Sequence, residues 1–287
     1  MNTPQETPEI ALSDEAKVRD FLSTNLRVTE SIETFEDDVM HMDQLEIPAK
    51  ERLIAGMYVR EITIPKDTLI TGRVWKHGYV DIMVSGDISI ATPDGLKRVT
   101  GWNVLEGKPG RKRAGVTHQD THWITVHRTD IEEMDSALES LAFIKMAEYE
   151  AHRAKEDTES FRALLDVMGL TETGIQAQVQ NTADMTILPD VFDDLVTIAP
   201  SKIHGTGLFA KMPFERGEHI APARLNGFRT IAGRYSNHSA LPNAKMELNE
   251  FGDVDLIAIR SISAGEEITT HYQHTIQTIQ GESLCQQ

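Results

Sequence analysis

The sequence has little cysteine, no long apolar run and no recognisable leader. Its single cysteine, Cys285, lies close to the end of the 287-residue chain. One cysteine cannot form an internal disulfide or a cysteine zinc cluster. No apolar run approaches the ~20 residues that a membrane-spanning helix needs. The opening residues, MNTPQETPEIALSDEAK, have neither the basic start nor the apolar stretch of a secretory signal. These absences lead us to expect a protein of a reducing compartment, the cytoplasm, with no membrane partner.

Basic residues are also scarce relative to acidic ones. The chain has 28 Lys and Arg against 45 Asp and Glu, which gives a net charge of -17. This deficit argues against a nucleic-acid partner, because such surfaces need clustered Lys and Arg. The charge suits either a soluble surface or the attraction of a basic protein substrate. We expect the one basic segment, GKPGRKRAG at 107–115, to be a solvated loop, because glycine and proline surround its charges.

The remaining composition is that of a globular protein, with 40% hydrophobic and 25% charged residues. The length allows two domains, and short alternating runs such as MYVREITI and HWITVHRT indicate β-strands. The fold class is therefore expected to be mainly β with a helical connector. The predicted divisions are an acidic and helical segment at 1–50, a β domain at 51–129, a helical connector and linker at 130–193, a second β-rich domain at 194–278 and a tail at 279–287.

Two regions of the chain show helical patterns. Ser13 is a candidate cap for a short helix that carries Val18, Phe21 and Leu22, whereas the acidic stretch 30–38 has few anchors and favours a mobile segment. In the connector, Asp130 is a candidate cap for a helix that carries the apolar residues Ile131, Met134, Leu138 and Leu141. A second helix is expected to carry Phe161, Leu164, Leu165 and Met168 and to end at Gly169.

Three separated pieces of the C-terminal domain carry the strongest signal. The first is SKIHGTGLFA, with Gly205 and Gly207 two residues apart. The second is GRYSNHSALPNA at 233–244, which is too polar for a strand core, and the third is ISAGEEITTHY, which ends at Tyr272. In this order they resemble the SET-domain protein methyltransferases, whose hallmarks are a glycine pair, an R-[FY]-x-N-H-S-x-x-P-N segment and a G-E-E-[IL]-x-x-x-Y segment. The resemblance spans residues 196 to 276.

The resemblance implies a compact SET β-fold in which the Asn-His-Ser segment passes beneath a neighbouring loop as a pseudoknot. It also implies that S-adenosylmethionine is the cofactor. The candidate cofactor-binding residues are Gly205, Gly207, Arg234, Tyr235, Asn237 and His238. Tyr272 is the candidate catalytic residue, with His271 as a neighbour, and no metal ligand is implied. Methyl transfer is an in-line displacement, so that the positioning of the reactants carries much of the catalysis.

The chain departs from larger SET enzymes in one segment. Those enzymes have a Tyr-x-Gly motif between the glycine pair and the Asn-His-Ser segment, but no tyrosine lies between Leu208 and Arg234 here. A cysteine-rich zinc module after the domain is also absent. We therefore expect the wall of the lysine channel to come from the tail after Tyr272, the N-terminal domain or a second subunit.

The N-terminal β domain resembles a cupin, which is a small β jelly roll, on the segments VREITIPKDTLITGRVWKHGYVDIMVSGDISIATPDG and GKPGRKRAGVTHQDTHWITVH. Similar modules occur in proteins of tailed bacteriophages, so the chain would act in a host cytoplasm or a virion. Metal-binding cupins use three His and one Glu. Here the first motif offers only His77, with Tyr79 near it, and Arg113 replaces the later His. Three further histidines, at 118, 122 and 127, lie in a predicted strand. Two interpretations stay open for them, a three-His metal site or ordinary strand positions.

Together these resemblances predict an S-adenosylmethionine-dependent protein lysine N-methyltransferase whose substrate is a protein, with a basic one favoured. Cupins often pair edge to edge, which implies a homo-oligomer through the N-terminal domain. A non-catalytic virion or regulatory protein that retains a SET scaffold is the alternative. A metal-dependent cupin oxygenase is a third hypothesis.

Overall fold

The structure is a computed structural model that describes residues 10–23, 29–92 and 95–276. The chain divides into two compact units, residues 1–152 and 153–287. The boundary falls inside a long helix, Met146–Met168. The finer domain bounds drawn from the sequence stay predictions.

The first unit is built mainly from antiparallel strands. Its strands are β1 (Ala11–Leu12), β2 (Ala49–Ile54), β3 (Met57–Ile64), β4 (Leu69–Thr71), β5 (Val74–Trp75), β6 (Tyr79–Thr92), β7 (Gly95–Thr100), β8 (Asn103–Gly107), β9 (Ala114–Arg128) and β10 (Ala142–Phe143). The helices that begin in it are α1 (Glu15–Ser23), α2 (Thr29–Val39), α3 (Ala137–Leu141), which follows a 3-10 turn at Met134–Ser136, and α4 (Met146–Met168).

Two long strands hold the main sheet of this unit together. Strand β9 pairs with β3 and β4 along one edge and with β6 along the other, and β6 also pairs with β7 and β8. The β6–β9 register shifts at Met83, Ser85 and Asp87, and such bulges increase the bend of a strand. Together with the strands of the second unit, this sheet confirms the prediction of a mainly β chain.

The N-terminal segment is more ordered than its sequence indicated. The prediction of a mobile stretch at 30–38 is wrong, because α2 covers it and buries Ile32, Phe35 and Val39 at spacings of three and four. In α1 the cap is Asp14 rather than Ser13, since the Asp14 carboxylate accepts the Lys17 N–H at 2.9 Å.

The helical predictions for the connector are partly wrong. Residues 131–133 are not helical, so the helix expected after Asp130 is reduced to the 3-10 turn and α3. The second helix is present as α4, and Gly169 follows it with a φ of 62°. The linker contains a further helix, α5 (Glu172–Gln180), whose start is capped by the Thr171 hydroxyl at 3.1 Å from the Gly174 N–H.

The basic segment at 107–115 is not simply a solvated loop. The Lys112 side chain is buried and forms an ion pair with Glu36 at 2.7 Å. The Arg113 guanidinium is mostly buried and is paired with Asp81. The prediction failed because the two carboxylates lie 76 and 32 residues earlier, beyond the range of a local pattern.

The second unit consists of two small sheets with helices at their margins. Its elements after α5 are a 3-10 turn at Asp190–Phe192, β11 (Val196–Pro200), β12 (Thr206–Ala210), β13 (His219–Leu225), β14 (Phe228–Arg229), α6 (Ile231–Tyr235), β15 (Asn237–His238), β16 (Ala244–Leu248), β17 (Val254–Ala258) and β18 (Glu267–Thr270). One sheet has the order β11-β12-β18-β15 and the other β14-β13-β17-β16. Their shared core includes Leu208, Ile220, Leu256 and Ile268, each fully buried and each contributing roughly 1.5–3 kcal/mol.

Within the described residues, no helix has both the length and the apolar character needed to cross a bilayer.

Candidate functional site

The second and third C-terminal motifs meet at a pair of parallel strands. Asn237 of β15 is the register partner of Thr269 in β18, and His238 is the partner of Thr270. The buried Asn243 side chain holds β18 in place, because its Oδ1 accepts the Thr269 N–H at 2.8 Å and its Nδ2 donates to the Glu267 carbonyl at 2.7 Å. Residues 237–243 therefore contact β18 in two ways, through the strand pairing of Asn237 and His238 and through the side chain of Asn243.

The Asn237 side chain joins the first motif to the third. Its Nδ2 lies 2.8 Å from Glu267 Oε1, 3.1 Å from both Ser201 Oγ and the His204 carbonyl, and 3.4 Å from the Thr206 carbonyl. Ser201 Oγ also donates to the Glu267 carboxylate at 2.8 Å. The Asn237 amide therefore stabilises the loop that carries Gly205.

The two predicted glycines have different surroundings. Gly205 is exposed, has a φ of 53°, and would have open space around an added Cβ. An added Cβ at Gly207 would lie 2.3 Å from Glu267 Oε1. Gly207 therefore makes room for the Glu267 carboxylate, whereas Gly205 permits a left-handed backbone.

Arg234 and Tyr235 lie at the end of α6, where the Arg234 guanidinium stands 5.4 Å from the Tyr235 ring centroid. Its Nη1 donates to the Asn181 carbonyl at 3.1 Å. A Cβ at Gly233 would lie 2.2 Å from the Ala223 carbonyl oxygen, so this helix can approach β13 only with glycine there. Sequence reasoning did not single out Gly233, whose role depends on a strand that precedes it in the chain.

Tyr272 lies directly against the Asn-His-Ser segment. Its hydroxyl donates to the Ser236 carbonyl at 3.3 Å, and its backbone N–H donates to His238 Nδ1 at 3.2 Å. Burial raises the pKa of Tyr272 to about 12, although the hydrogen bond with His238 acts in the opposite direction. The hydroxyl is therefore neutral and protonated at physiological pH.

The imidazole of His238 has a defined tautomer. Because Nδ1 accepts the Tyr272 N–H, the neutral ring carries its proton on Nε2, which lies 3.0 Å from Ser160 Oγ. Burial lowers the pKa of His238 to about 4, with the neighbouring His271 adding to the effect. Burial also lowers the pKa of His271, next to His274. We therefore expect both His238 and His271 to be uncharged at neutral pH.

Helix α4 supplies one side of this site. The Phe161 ring packs edge-on to Tyr272, with centroids 6.2 Å apart, and Asp157 Oδ1 accepts the Ala240 N–H at 2.7 Å. Asp157 also accepts the Ser239 hydroxyl at 3.2 Å. The apolar spacing of Phe161, Leu164 and Leu165 indicated a packed helix face, but nothing in the sequence showed which surface it covers.

Four buried polar atoms in or next to α6, β15 and β18 have no hydrogen-bond partner among the residues that the structure describes. They are Arg234 Nε, Ser236 Oγ, Thr270 Oγ1 and His271 Nδ1. Buried polar atoms are normally satisfied, so these four mark positions where a hydrogen-bond partner is missing from the described residues.

The three strand histidines of the first unit, at 118, 122 and 127, have separate surroundings. His118 Nε2 lies 2.8 Å from Ser89 Oγ, and His122 Nε2 lies 2.9 Å from Glu61 Oε1. His127 is buried, with its ring centroid 3.9 Å from that of Trp75. Among the described residues, no group of three or more His, Cys, Asp or Glu side chains is arranged to hold a metal ion.

A known family model matches the region that holds the second and third C-terminal motifs. Residues 222–273 match the family model described as the SET domain, which confirms the C-terminal resemblance. No curated protein matches the chain.

Three similar solved structures each cover no more than 33% of the chain. A cupin-2 domain protein from Shewanella frigidimarina is 10% identical and covers 33% of this chain and 91% of its own, with a TM-score of 0.25. A cupin domain from Bordetella pertussis is 14% identical over 30% of this chain and 96% of its own, with a TM-score of 0.25. A Plasmodium falciparum protein named as a histone methyltransferase is 22% identical over 28% of this chain and 95% of its own, with a TM-score of 0.25. These scores support no functional argument.

Proposed function

We propose that the C-terminal unit, which carries a SET domain at residues 222–273, is an S-adenosylmethionine-dependent protein lysine N-methyltransferase. The observation that supports this most is the pairing of β15 with β18, which puts Tyr272 against the Asn-His-Ser segment. Its hydroxyl reaches the Ser236 carbonyl at 3.3 Å. Two segments far apart in sequence thus bring the proposed donor-binding and catalytic residues together.

The residues present fit the proposed methyl donor. S-adenosylmethionine carries a carboxylate, an ammonium and an adenine edge, and supplies a methyl group on a sulfonium. The unsatisfied atoms of Arg234, Ser236, Thr270 and His271 are donors and acceptors suited to such polar groups. His238 and the loop at Gly205 complete the proposed pocket, with Tyr235 beside Arg234. Asn237 and Gly207 act by ordering that loop, since Asn237 donates to Glu267 and Gly207 leaves space for the Glu267 carboxylate.

Tyr272 is the residue that we propose to orient the substrate amine. Because its proton points to the Ser236 carbonyl, the hydroxyl oxygen keeps lone pairs that can accept an N–H of the incoming lysine. Burial keeps this hydroxyl neutral, so it contributes a hydrogen bond rather than a charge.

The incoming lysine must also lose a proton, because its free pKa is about 10.4. Removing an ammonium from water favours the neutral amine. Phe161, packed edge-on against Tyr272, supplies apolar surface that excludes water at this position. The orientation of the amine and its desolvation are therefore the two contributions that we derive from this chain's own residues.

The proposed substrate is a basic protein. The chain has a net charge of -17, which attracts a positively charged partner by long-range electrostatics. A cytoplasmic location and self-association through the first unit remain parts of the proposal.

The proposal is tested by transfer of a labelled methyl group from S-adenosylmethionine to proteins of a cell lysate. The full-length chain should label lysine residues of basic proteins. Tyr272→Phe should reduce the labelling by about 10²-fold, the loss that follows from a misplaced reacting group. Tyr149→Phe, which removes a hydroxyl in the first unit, is the matched control and should label normally. Equal labelling by wild type and Tyr272→Phe would contradict the proposed role of Tyr272.

The non-catalytic alternative predicts a different outcome. It is favoured by the lack of a tyrosine between Leu208 and Arg234. A wild-type chain that leaves every lysate protein unlabelled, although it is folded, would favour a regulatory or structural role for the SET domain.

A further inference from the structure

The main sheet of the first unit has an outer face that carries aliphatic side chains. Side chains of a strand point alternately to the two faces of its sheet. Ile62, Asp81 and Trp123 lie on the inner face, around a cavity inside this unit. The neighbours of these residues along β3, β6 and β9, with their register partners in β2 and β8, therefore form the outer face. Its aliphatic members include Val59, Val80, Ile82, Val104, Ile124 and Val126.

Five of the outer-face residues form one row across the sheet. Val126 of β9 is the register partner of both Val59 and Val80. Val59 is in turn the partner of Arg52 in β2, and Val80 is the partner of Glu106 in β8. This first row therefore has a basic end on β2, three valines in the middle and an acidic end on β8.

Two further rows of the outer face lie on either side of the first. The members of the second row, from β2 to β8, are Lys50, Glu61, Ile124, Ile82 and Val104. The third row consists of Ile54, Met57 and Arg128. The middle of the outer face is therefore aliphatic, and its charges lie toward β2, the edge at β8 and the end of β9.

The outer face is open to solvent and large enough to bind a protein. Val80 is 40% exposed and Val104 is 51% exposed, as is Ile54. Five strands about 4.8 Å apart and three rows about 6.8 Å apart give a patch of roughly 24 Å by 20 Å. Two such patches placed face to face bury about 1,000 Å², which reaches the lower limit for a specific interface. Exposed aliphatic patches of this extent mark interaction surfaces.

The charges of the outer face do not oppose the association of two copies of the chain. The whole chain has a net charge of -17, so two copies repel one another at long range. The three rows, in contrast, carry more basic than acidic side chains, namely Lys50, Arg52 and Arg128 against Glu61 and Glu106. The negative excess therefore lies elsewhere, and the outer face can approach a second copy.

The first row is complementary to itself when it is reversed. A half-turn about an axis roughly parallel to β9 reverses the order of its residues, so that Arg52 of one copy faces Glu106 of the other and valines face valines. Both charged side chains are exposed. Arg52 already donates to Glu61 at 2.6 Å, but its guanidinium has five N–H donors and can bind a second carboxylate. The two-fold arrangement forms this ion pair twice.

We propose that the outer face binds a second copy of this chain, in a two-fold dimer in which Arg52 of each copy faces Glu106 of the other. The two sheets pack face to face with their strands nearly aligned, as in a β-sandwich. This inference gives the self-association of the first unit a defined surface and geometry, and it does not depend on the proposed methyl transfer.

Sedimentation of the full-length chain over a concentration series tests the surface. Wild type should form a dimer with a Kd below about 100 µM. Val80→Asp puts a carboxylate in the middle of the outer face and should weaken the dimer at least tenfold. Met40→Asp is the matched control in the same unit, because Met40 is 53% exposed and lies after α2, outside the three rows. It should leave the Kd unchanged.

Charge exchange tests the geometry. Arg52→Glu and Glu106→Arg should each weaken the dimer at least tenfold, because each puts like charges opposite one another. The double variant restores opposite charges and should bring the Kd back to within a few-fold of wild type. These exposed positions keep the test valid even if Val80→Asp does not fold.

Three outcomes would overturn the proposal: a monomeric wild type, a folded Val80→Asp that dimerises as wild type does, or a double variant no tighter than the single ones. Pairing through strand edges gives the second outcome. Because sedimentation needs no methyl donor, a dimer that transfers no methyl group would support this inference and contradict only the proposed function.

Discussion

Ser160 of helix α4 lies with its hydroxyl 3.0 Å from His238 Nε2, in the middle of the Asn-His-Ser segment. The site therefore includes a helix that precedes the SET match by more than 50 residues. The same helix carries Asp157, which accepts hydrogen bonds from Ser239 and Ala240. Contacts of α4 thus fix the conformation of the segment that would hold the methyl donor.

Asp157→Ala tests this contribution of α4. The substitution leaves the Ala240 N–H without its carboxylate partner and removes one of the two carboxylates that pair with Arg153, the other being Glu156. We expect the free energy of unfolding to fall by about 1–3 kcal/mol, the cost of unsatisfied buried groups. Glu159→Ala on the same helix is the matched control, because its ion pair with Lys155 is exposed. It should change stability by less than about 0.5 kcal/mol. Urea unfolding measures both, and equal losses would contradict the role given to Asp157.

Gly233→Ala tests the close approach of α6 to β13. The new Cβ would lie 2.2 Å from a backbone oxygen of Ala223, so one of the two elements must move. We expect a loss of about 1–3 kcal/mol or more from overpacking. Gly174→Ala in α5 meets only the Thr171 hydroxyl at 3.2 Å and should change stability by less than about 1 kcal/mol. Thermal unfolding measures both variants, and equal melting temperatures would contradict this account.

Asn237→Asp tests the link between the glycine loop and β18. It would put a second carboxylate beside Glu267, where the amide now donates at 2.8 Å. Two adjacent carboxylates repel one another, so the variant should be markedly less stable than wild type at pH 7. Because repulsion raises carboxyl pKa values, protonation at lower pH relieves it, and the deficit should shrink between pH 7 and 5. Urea unfolding at the two pH values gives the measurement. Asn237→Ala adds no charge, so its loss of stability relative to wild type should not become smaller between pH 7 and pH 5.

His127→Phe tests the acid sensitivity of the first unit. Burial lowers the pKa of His127 to about 3, with His77 adding to the effect. Between an ordinary histidine pKa of about 6.5 and this value, the unfolded chain binds a proton that the folded chain does not. Stability should therefore fall as the pH drops below about 6.5 and should stop falling from this cause near pH 3.

The phenylalanine cannot take up that proton, and it removes a buried Nε2 atom that has no hydrogen-bond partner within the described part of the chain. His127→Phe should therefore be no less stable than wild type at pH 7 and should lose less stability at pH 5. Thermal unfolding at the two pH values checks this, and an unchanged pH dependence would show that His127 does not cause it.

Short-range patterns accounted for the parts of the chain whose information is local. The alternation of apolar and polar residues predicted β-strands. The C-terminal motifs predicted a SET domain, which the family match at residues 222–273 confirms. Contacts between distant segments were not accessible in this way. Neither the placement of Ser160 beside His238 nor the pairing of Arg113 with Asp81 follows from neighbouring residues. The helix α2 was missed because its three buried residues are separated by acidic ones, which gave the stretch a solvated appearance.

The central proposal is that the segment around His238 and Tyr272 holds a sulfonium methyl donor. Calorimetric titration of the full-length chain with S-adenosylmethionine tests it most directly. We predict one donor bound per chain, with a Kd below about 100 µM, and a Kd for Tyr272→Phe within a few-fold of the wild-type value. A folded wild-type chain that gives no binding heat at millimolar donor, at two temperatures, would contradict the proposal.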